Sequence, residues 1–210
     1  WNFTGYESRS EFPIYQSLVE TMSEVGEDVG CGRALWEYDR DELGSYGTPM
    51  APMLLPYWTD GCIGAMEGLY FESSATVPFH FLMQSELSAN PSRPMRGLDY
   101  RGLDLQSGIR HMQLSGVRYY LAFSAEAIEN ANRYPDQLEL IARSDPWWIY
   151  LVANSQLVEG LTYEPNVSSE GNQGGRAWTN PAMVWFNDPT RSRVVVTAEG
   201  PGEWHRVGLD

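Results

Sequence analysis

The chain of 210 residues is long enough for one large domain, or one and a half, with a hydrophobic core of its own. Its net charge of -14 would repel the phosphate backbone of nucleic acids and anionic lipid surfaces, so we expect no nucleic-acid partner. All 14 basic residues are arginine, which excludes Schiff-base chemistry at lysine and a P-loop lysine.

The chain contains no apolar run of the roughly 18 residues that a membrane-spanning helix needs. It begins at Trp1 without a methionine and without an apolar leader. We therefore expect it to be a piece of a longer protein or a processed product.

The first half of the chain predicts helices around one short strand. Residues 11–25 have the apolar spacing of an amphipathic helix, and residues 33–38 alternate as a strand does. Three prolines limit residues 48–59 to one or two helical turns. Residues 76–87 predict another helix, with Thr76 as its cap.

The second half predicts a helix, a strand, a second helix and a hairpin. The first helix is expected over residues 103–114, and Ser124 is placed to cap the second. The strands are expected near residues 117–123, 138–144 and 147–153. Together with the strand at 33–38, they predict an α+β fold with a small mixed or antiparallel sheet covered by helices.

A β-rich tail is expected to follow this sheet. Residues 182–186, 193–198 and 203–207 have the composition of short strands. We therefore predict two parts, an α+β domain over residues 1–160 and a loop plus β-strand tail over residues 161–210. The tail is either an appended hairpin or the start of a following β-domain.

Cys31 and Cys62 stand beside glycines that would let their backbones approach closely. They predict a disulfide if the compartment is oxidising, and two unrelated buried thiols otherwise. The three histidines, His80, His111 and His205, have no ligand spacing, so we expect no metal site and no cofactor.

Aromatic and acidic residues lie close together in residues 58–72. A sugar-binding cleft needs this mixture of side chains. Flat rings stack on pyranose faces, and carboxylates accept hydrogen bonds from sugar hydroxyls. The alternative is that the rings belong to the core and the carboxylates cap helices or pair with arginine. The candidate glycan-binding residues are Trp58, Asp60, Glu67, Tyr70, Glu72 and Trp148.

Four segments resemble the extracytoplasmic parts of large multi-spanning actinobacterial membrane proteins. They are residues 54–61 (LLPYWTDG), 68–74 (GLYFESS), 115–120 (SGVRYY) and 140–150 (LIARSDPWWIY). Those membrane proteins resemble GT-C type glycosyltransferases, which use polyprenyl-phosphate sugars, and proteins related to 6-pyruvoyl-tetrahydropterin synthase. The all-arginine composition is typical of a high-GC genome of that kind.

The resemblance implies a domain on the extracytoplasmic face of the cell membrane, attached to the transmembrane portion of the same protein. In such enzymes the catalytic carboxylate lies near the membrane helices, so no catalytic residue is carried over to this chain. The implied role is accessory, to bind or position a cell-envelope glycan acceptor. The competing expectations are a protein-interaction or structural module that binds no sugar, and a secreted glycan-active enzyme.

Overall fold

The computed structural model describes residues 7–67, 74, 76–169 and 175–208, with side chains of the last segment from residue 179 onward. The chain divides into two compact units, Trp1–Val158 and Glu159–Asp210. Each unit is described by itself.

The first unit alternates helices with the strands of one sheet. The helices are α1 (Phe12–Asp28), α2 (Arg40–Gly44), α3 (Leu55–Trp58), α4 (Val77–Leu87), α5 (Leu105–Leu114) and α6 (Ala125–Ala131). The strands are β1 (Gly32–Trp36), β2 (Ile63–Ala65), β3 (Val117–Ala122), β4 (Leu138–Ser144) and β5 (Trp147–Val152). A 3-10 turn, Ala51–Leu54, leads directly into α3.

The sheet is mixed and has the strand order β2-β1-β3-β5-β4. Strands β2, β1 and β3 are parallel, whereas β5 pairs antiparallel with both β3 and β4. The predicted α+β class and the four predicted strands are confirmed. The three-residue strand β2 was not predicted, because it lies in a segment without clear periodicity.

Each face of the sheet carries its own hydrophobic core. Side chains of successive strand residues point to opposite faces, so neighbouring residues enter different cores. The core beneath α1 includes Tyr15, Leu18, Met22, Trp36, Tyr119 and Trp147. The core beneath α4, α5 and α6 includes Leu35, Met83, Ile109, Met112, Tyr120 and Tyr150.

Helices α6 and α2 begin at side chains that accept backbone N–H groups, Ser124, which was predicted, and Asp39, which was not. The predicted cap Thr76 precedes α4 but makes no side-chain capping hydrogen bond. Ser124 accepts from Ala127 N at 3.1 Å and starts α6, as predicted. Asp39 caps α2. Partial burial alone would raise its pKa, but the carboxylate accepts hydrogen bonds from the N–H groups of Glu42 and Asp41 and from the Asn90 amide. These hydrogen bonds lower the pKa of Asp39 below 3.8. Serine and aspartate favour such positions because the short side chain reaches the first free donors of the helix.

The second unit holds a three-stranded parallel sheet and one long helix. The strands are β6 (Asn166–Ser168), β7 (Val196–Thr197) and β8 (Arg206–Val207), in the order β7-β6-β8. The helix is α7 (Gly175–Asn187). A 3-10 turn, Arg191–Arg193, follows it.

The strand predicted over residues 182–186 is wrong, because this segment belongs to α7. A strand would place Ala182, Val184 and Phe186 on one face. In the structure Ala182 and Phe186 are buried while Val184 is 50% exposed, which is the i, i+4 spacing of a helix.

Within the residues that the structure describes, none of the helices has both the length and the apolar composition of a membrane span.

Candidate functional site

An open groove lies between α1 and α3, and Trp58 forms one of its walls. The groove has a volume of about 400 Å³. Trp58 is the last residue of α3 and is 43% exposed. Its ring meets the ring of Tyr57 edge to face, with centroids 4.8 Å apart. Two neighbouring aromatic rings therefore reach solvent at this edge of the first unit.

The facing wall comes from one side of α1 and the residues before it. Phe12, Gln16 and Glu20 are spaced four residues apart, so they lie in one row along the helix. Gln16 Nε2 donates a hydrogen bond to Glu20 Oε1 at 2.8 Å. Glu7 adds a second carboxylate to the lining.

Tyr15 closes the floor of the groove. It is 2% exposed, and its hydroxyl donates to Ala51 O at 3.0 Å, which joins α1 to the 3-10 turn before α3. The groove therefore combines a fixed aromatic floor, an exposed indole, an amide and two carboxylates. Its described lining contains no basic side chain.

Asp60 lies in the turn that follows Trp58 but does not line the groove. It is exposed and has a φ of 49°. The turn is held by Thr59, whose hydroxyl donates to Leu55 O at 2.7 Å and accepts from Ile63 N at 3.0 Å. Asp60 therefore belongs to the connection from α3 to β2.

Glu67 is buried away from solvent and faces α4. Its Oε1 lies 2.7 Å from His80 Nε2 and accepts from Gln84 Nε2 at 2.9 Å. The side chains of Glu67 and His80 are 3% and 2% exposed. A second buried carboxylate–imidazole pair, Glu86 with His111, joins α4 to α5 at 2.6 Å.

A carboxylate in this setting holds elements together, because an unpaired buried charge is costly. Glu67 therefore has a structural role, but its partners are a histidine and an amide, whereas the alternative expected a helix cap or an arginine.

Trp148 lies on the other face of the sheet, packed against the core beneath α4, α5 and α6. The guanidinium of Arg143 stacks 3.6 Å from the centre of its ring. Tyr70 and Glu72 lie outside the described residues. Of the six candidate residues, Trp58 is the one that the described structure places in the groove.

The groove residues on α1 were not predicted from sequence. The signal that could have found them is the row Phe12, Gln16 and Glu20, in which an aromatic residue shares a helix face with two polar ones. Phe12 belongs to the apolar face of the amphipathic helix predicted over residues 11–25, and it is partly buried against the core beneath α1.

The predicted disulfide is present. Cys31 and Cys62 are bonded, with their Cα atoms 4.6 Å apart. The bond joins the residue before β1 to the residue before β2, at the end of the sheet where these two parallel strands begin. No group of three or more potential metal ligands occurs within residues 7–67, 74, 76–169 and 175–208.

Comparison of the chain with protein-family models, with curated proteins and with solved structures gives no match.

Proposed function

We propose that the first unit is a carbohydrate-binding accessory domain that holds a glycan acceptor in the groove beside Trp58. The observation that carries the proposal is the half-exposed indole of Trp58 set opposite Gln16 and Glu20. A pyranose ring has an apolar face that stacks on an indole and equatorial hydroxyls that donate to carboxylates. The groove offers both on facing walls.

The charge of the groove favours a neutral sugar over an anionic one. Glu7 and Glu20 are its charged lining residues, and both are acidic. An acidic polysaccharide would meet like charges, whereas neutral hydroxyl groups gain acceptors. We therefore propose neutral cell-envelope glycans, such as arabinan, mannan or galactan, as the ligand class.

We further propose that the domain works on the extracytoplasmic face of the cell membrane, as part of a multi-spanning glycosyltransferase-like protein. The resemblance described above and the Cys31–Cys62 disulfide support this location, because disulfides persist in oxidising compartments. In this arrangement the transmembrane portion performs the chemistry. The unit described here positions the acceptor and is not catalytic alone.

The test is an NMR titration of the chain with arabinan, mannan and galactan oligomers, following the indole signals. We expect the Trp58 signal to shift and the Trp148 signal to stay unchanged. Trp58→Ala should weaken binding by about tenfold, because loss of one ring stack costs roughly 1.5 kcal/mol.

Trp148→Ala is the control, since it removes a partly buried indole from the other face of the sheet, away from the groove. Equal weakening by both substitutions would contradict the groove assignment. If no indole signal shifts at millimolar sugar, the result would contradict sugar binding by this domain altogether.

A protein-interaction module is the second candidate function. Leu157 and Val158, at the end of the first unit, are 73% and 83% exposed. Two adjacent apolar side chains of this exposure are typical of a contact surface when they form part of a larger patch. If no indole signal shifts, Leu157→Ser/Val158→Ser should weaken association of the chain with the proposed transmembrane portion when the two are expressed as separate chains, whereas Trp58→Ala should not.

A further inference from the structure

A second cavity, distinct from the Trp58 groove, lies at the end of the sheet beside the disulfide. Its volume is about 480 Å³. It is lined by the starts of three parallel strands, at Gly32, Gly64 and Gly116, and by the segment after β5, Ser155–Leu157. Two side chains of the lining are charged, Arg33 and Arg118, and no acidic residue lines it. On a chain with a net charge of -14, this is a local positive site.

Backbone carbonyls, and not carboxylates, hold the two guanidinium groups in place. Arg33 donates from Nη1 to Ser115 O, and Arg118 donates from Nη2 to Val29 O at 2.8 Å. Neither arginine has a carboxylate within salt-bridge distance in the part of the chain that the structure describes. Both positive charges are therefore fixed in position and not neutralised by an ion pair.

Arg118 is also partly removed from water. Its Nε is buried and has no hydrogen-bond partner among the described residues, and the same holds for the hydroxyl of Ser155 in the same lining. A guanidinium with reduced hydration attracts an anion more strongly than a solvated one, because the local dielectric constant is lower.

The backbone makes room for this arginine at Gly32. A Cβ at that position would lie 2.5 Å from Arg118 Cδ and 2.8 Å from Arg118 Cβ. The stem of Arg118 therefore crosses β1 where a side chain is missing. This arrangement places the Arg118 guanidinium at the end of the sheet where the parallel strands begin.

We infer that this cavity binds a phosphate group, through the guanidinium groups of Arg33 and Arg118 that line it. A phosphate monoester carries close to two negative charges at neutral pH and several acceptor oxygens. It can therefore accept hydrogen bonds from two guanidinium groups at once, which a ligand with a single carboxylate does less well. The cavity volume leaves room for the group that bears the phosphate. A free phosphate ester and a lipid headgroup present this same chemistry.

The experiment is an amide NMR titration of the full chain with inorganic phosphate and with glucose 6-phosphate at constant ionic strength. We expect saturable shifts at Gly32, Gly64 and Gly116 within roughly 20 mM phosphate. Arg118→Gln and Arg33→Gln should each weaken binding at least tenfold. Arg133→Gln, which alters an exposed arginine just after α6 that is paired with Glu129, should change it less than twofold.

Co-sedimentation with phosphatidylcholine vesicles that contain phosphatidic acid tests the lipid-borne source. Binding in either the NMR titration or the vesicle assay supports the site if it is lost in Arg118→Gln and Arg33→Gln. The assay that shows binding identifies whether the phosphate belongs to a free ester or to a lipid. Equal shifts with chloride, or binding that survives in both folded variants, would overturn it. The amide spectrum of each variant reports whether it is folded. The outcome is independent of the sugar titration, because the Trp58 groove contains neither arginine.

Discussion

Reduction of the Cys31–Cys62 disulfide should destabilise the first unit by several kcal/mol. The bond joins residues 31 positions apart in the chain. For a loop of this length the chain-entropy relation gives a stabilisation of about 3.7 kcal/mol at 25 °C. Cys31 is exposed, so a reductant can reach the bond in the folded protein.

Urea unfolding followed by tryptophan fluorescence, with and without a phosphine reductant, measures this contribution. With a slope of about 2 kcal/mol/M, a loss of this size lowers the midpoint by about 1.8 M. The variant Cys31→Ser/Cys62→Ser should unfold at the lower midpoint and should not respond to the reductant. A midpoint change below roughly 0.4 M would refute the loop-entropy reasoning, because it corresponds to less than a quarter of the calculated stabilisation.

Two further predictions concern single side chains. Gly32→Ala should lower the free energy of unfolding by about 1 to 3 kcal/mol in the same urea assay, because the added Cβ would overlap the stem of Arg118. Gly64→Ala is the control. The nearest atom to a Cβ at that position is 3.8 Å away, so the free energy of unfolding should change by less than about 0.5 kcal/mol. Asp39→Ala should cost about 1 kcal/mol at pH 7. Because folding lowers the pKa of Asp39 below 3.8, its contribution is present above that pH and is lost as the pH falls through the folded pKa. The difference in thermal unfolding between Asp39→Ala and the unsubstituted chain should therefore shrink as the pH falls below 3.8, and a difference that stays constant would contradict the assigned cap.

Local signals in the sequence were sufficient for most of the first unit. The cap at Ser124 and the two glycine-flanked cysteines were predicted and are present. The cap depends on a contact between residues three positions apart. The disulfide depends on the tendency of two cysteines to bond when their backbones can approach closely. The exception in the tail, residues 182–186, is a short apolar run in which burial, and not composition, distinguishes a helix from a strand.

The candidate site was predictable only in part, because closeness in sequence is a poor guide to closeness in space. Trp58 and Glu67 are nine residues apart, yet one borders an open groove and the other is buried beside His80. Trp148 was grouped with Trp58 by residue type, and the alternation of the sheet places it on the opposite face. The facing wall on α1 comes from a segment that precedes Trp58 by about forty residues, and no short-range pattern links the two.

The disulfide also determines how the chain would respond to a protease. The residues between Cys31 and Cys62 include β1, α2 and α3. A single cut in the exposed residues of α2 would therefore leave two fragments joined by a covalent bond. The nicked protein would migrate as one species without a reductant and as two with it, and the fragment that carries Trp58 would remain tethered to the one that carries α1.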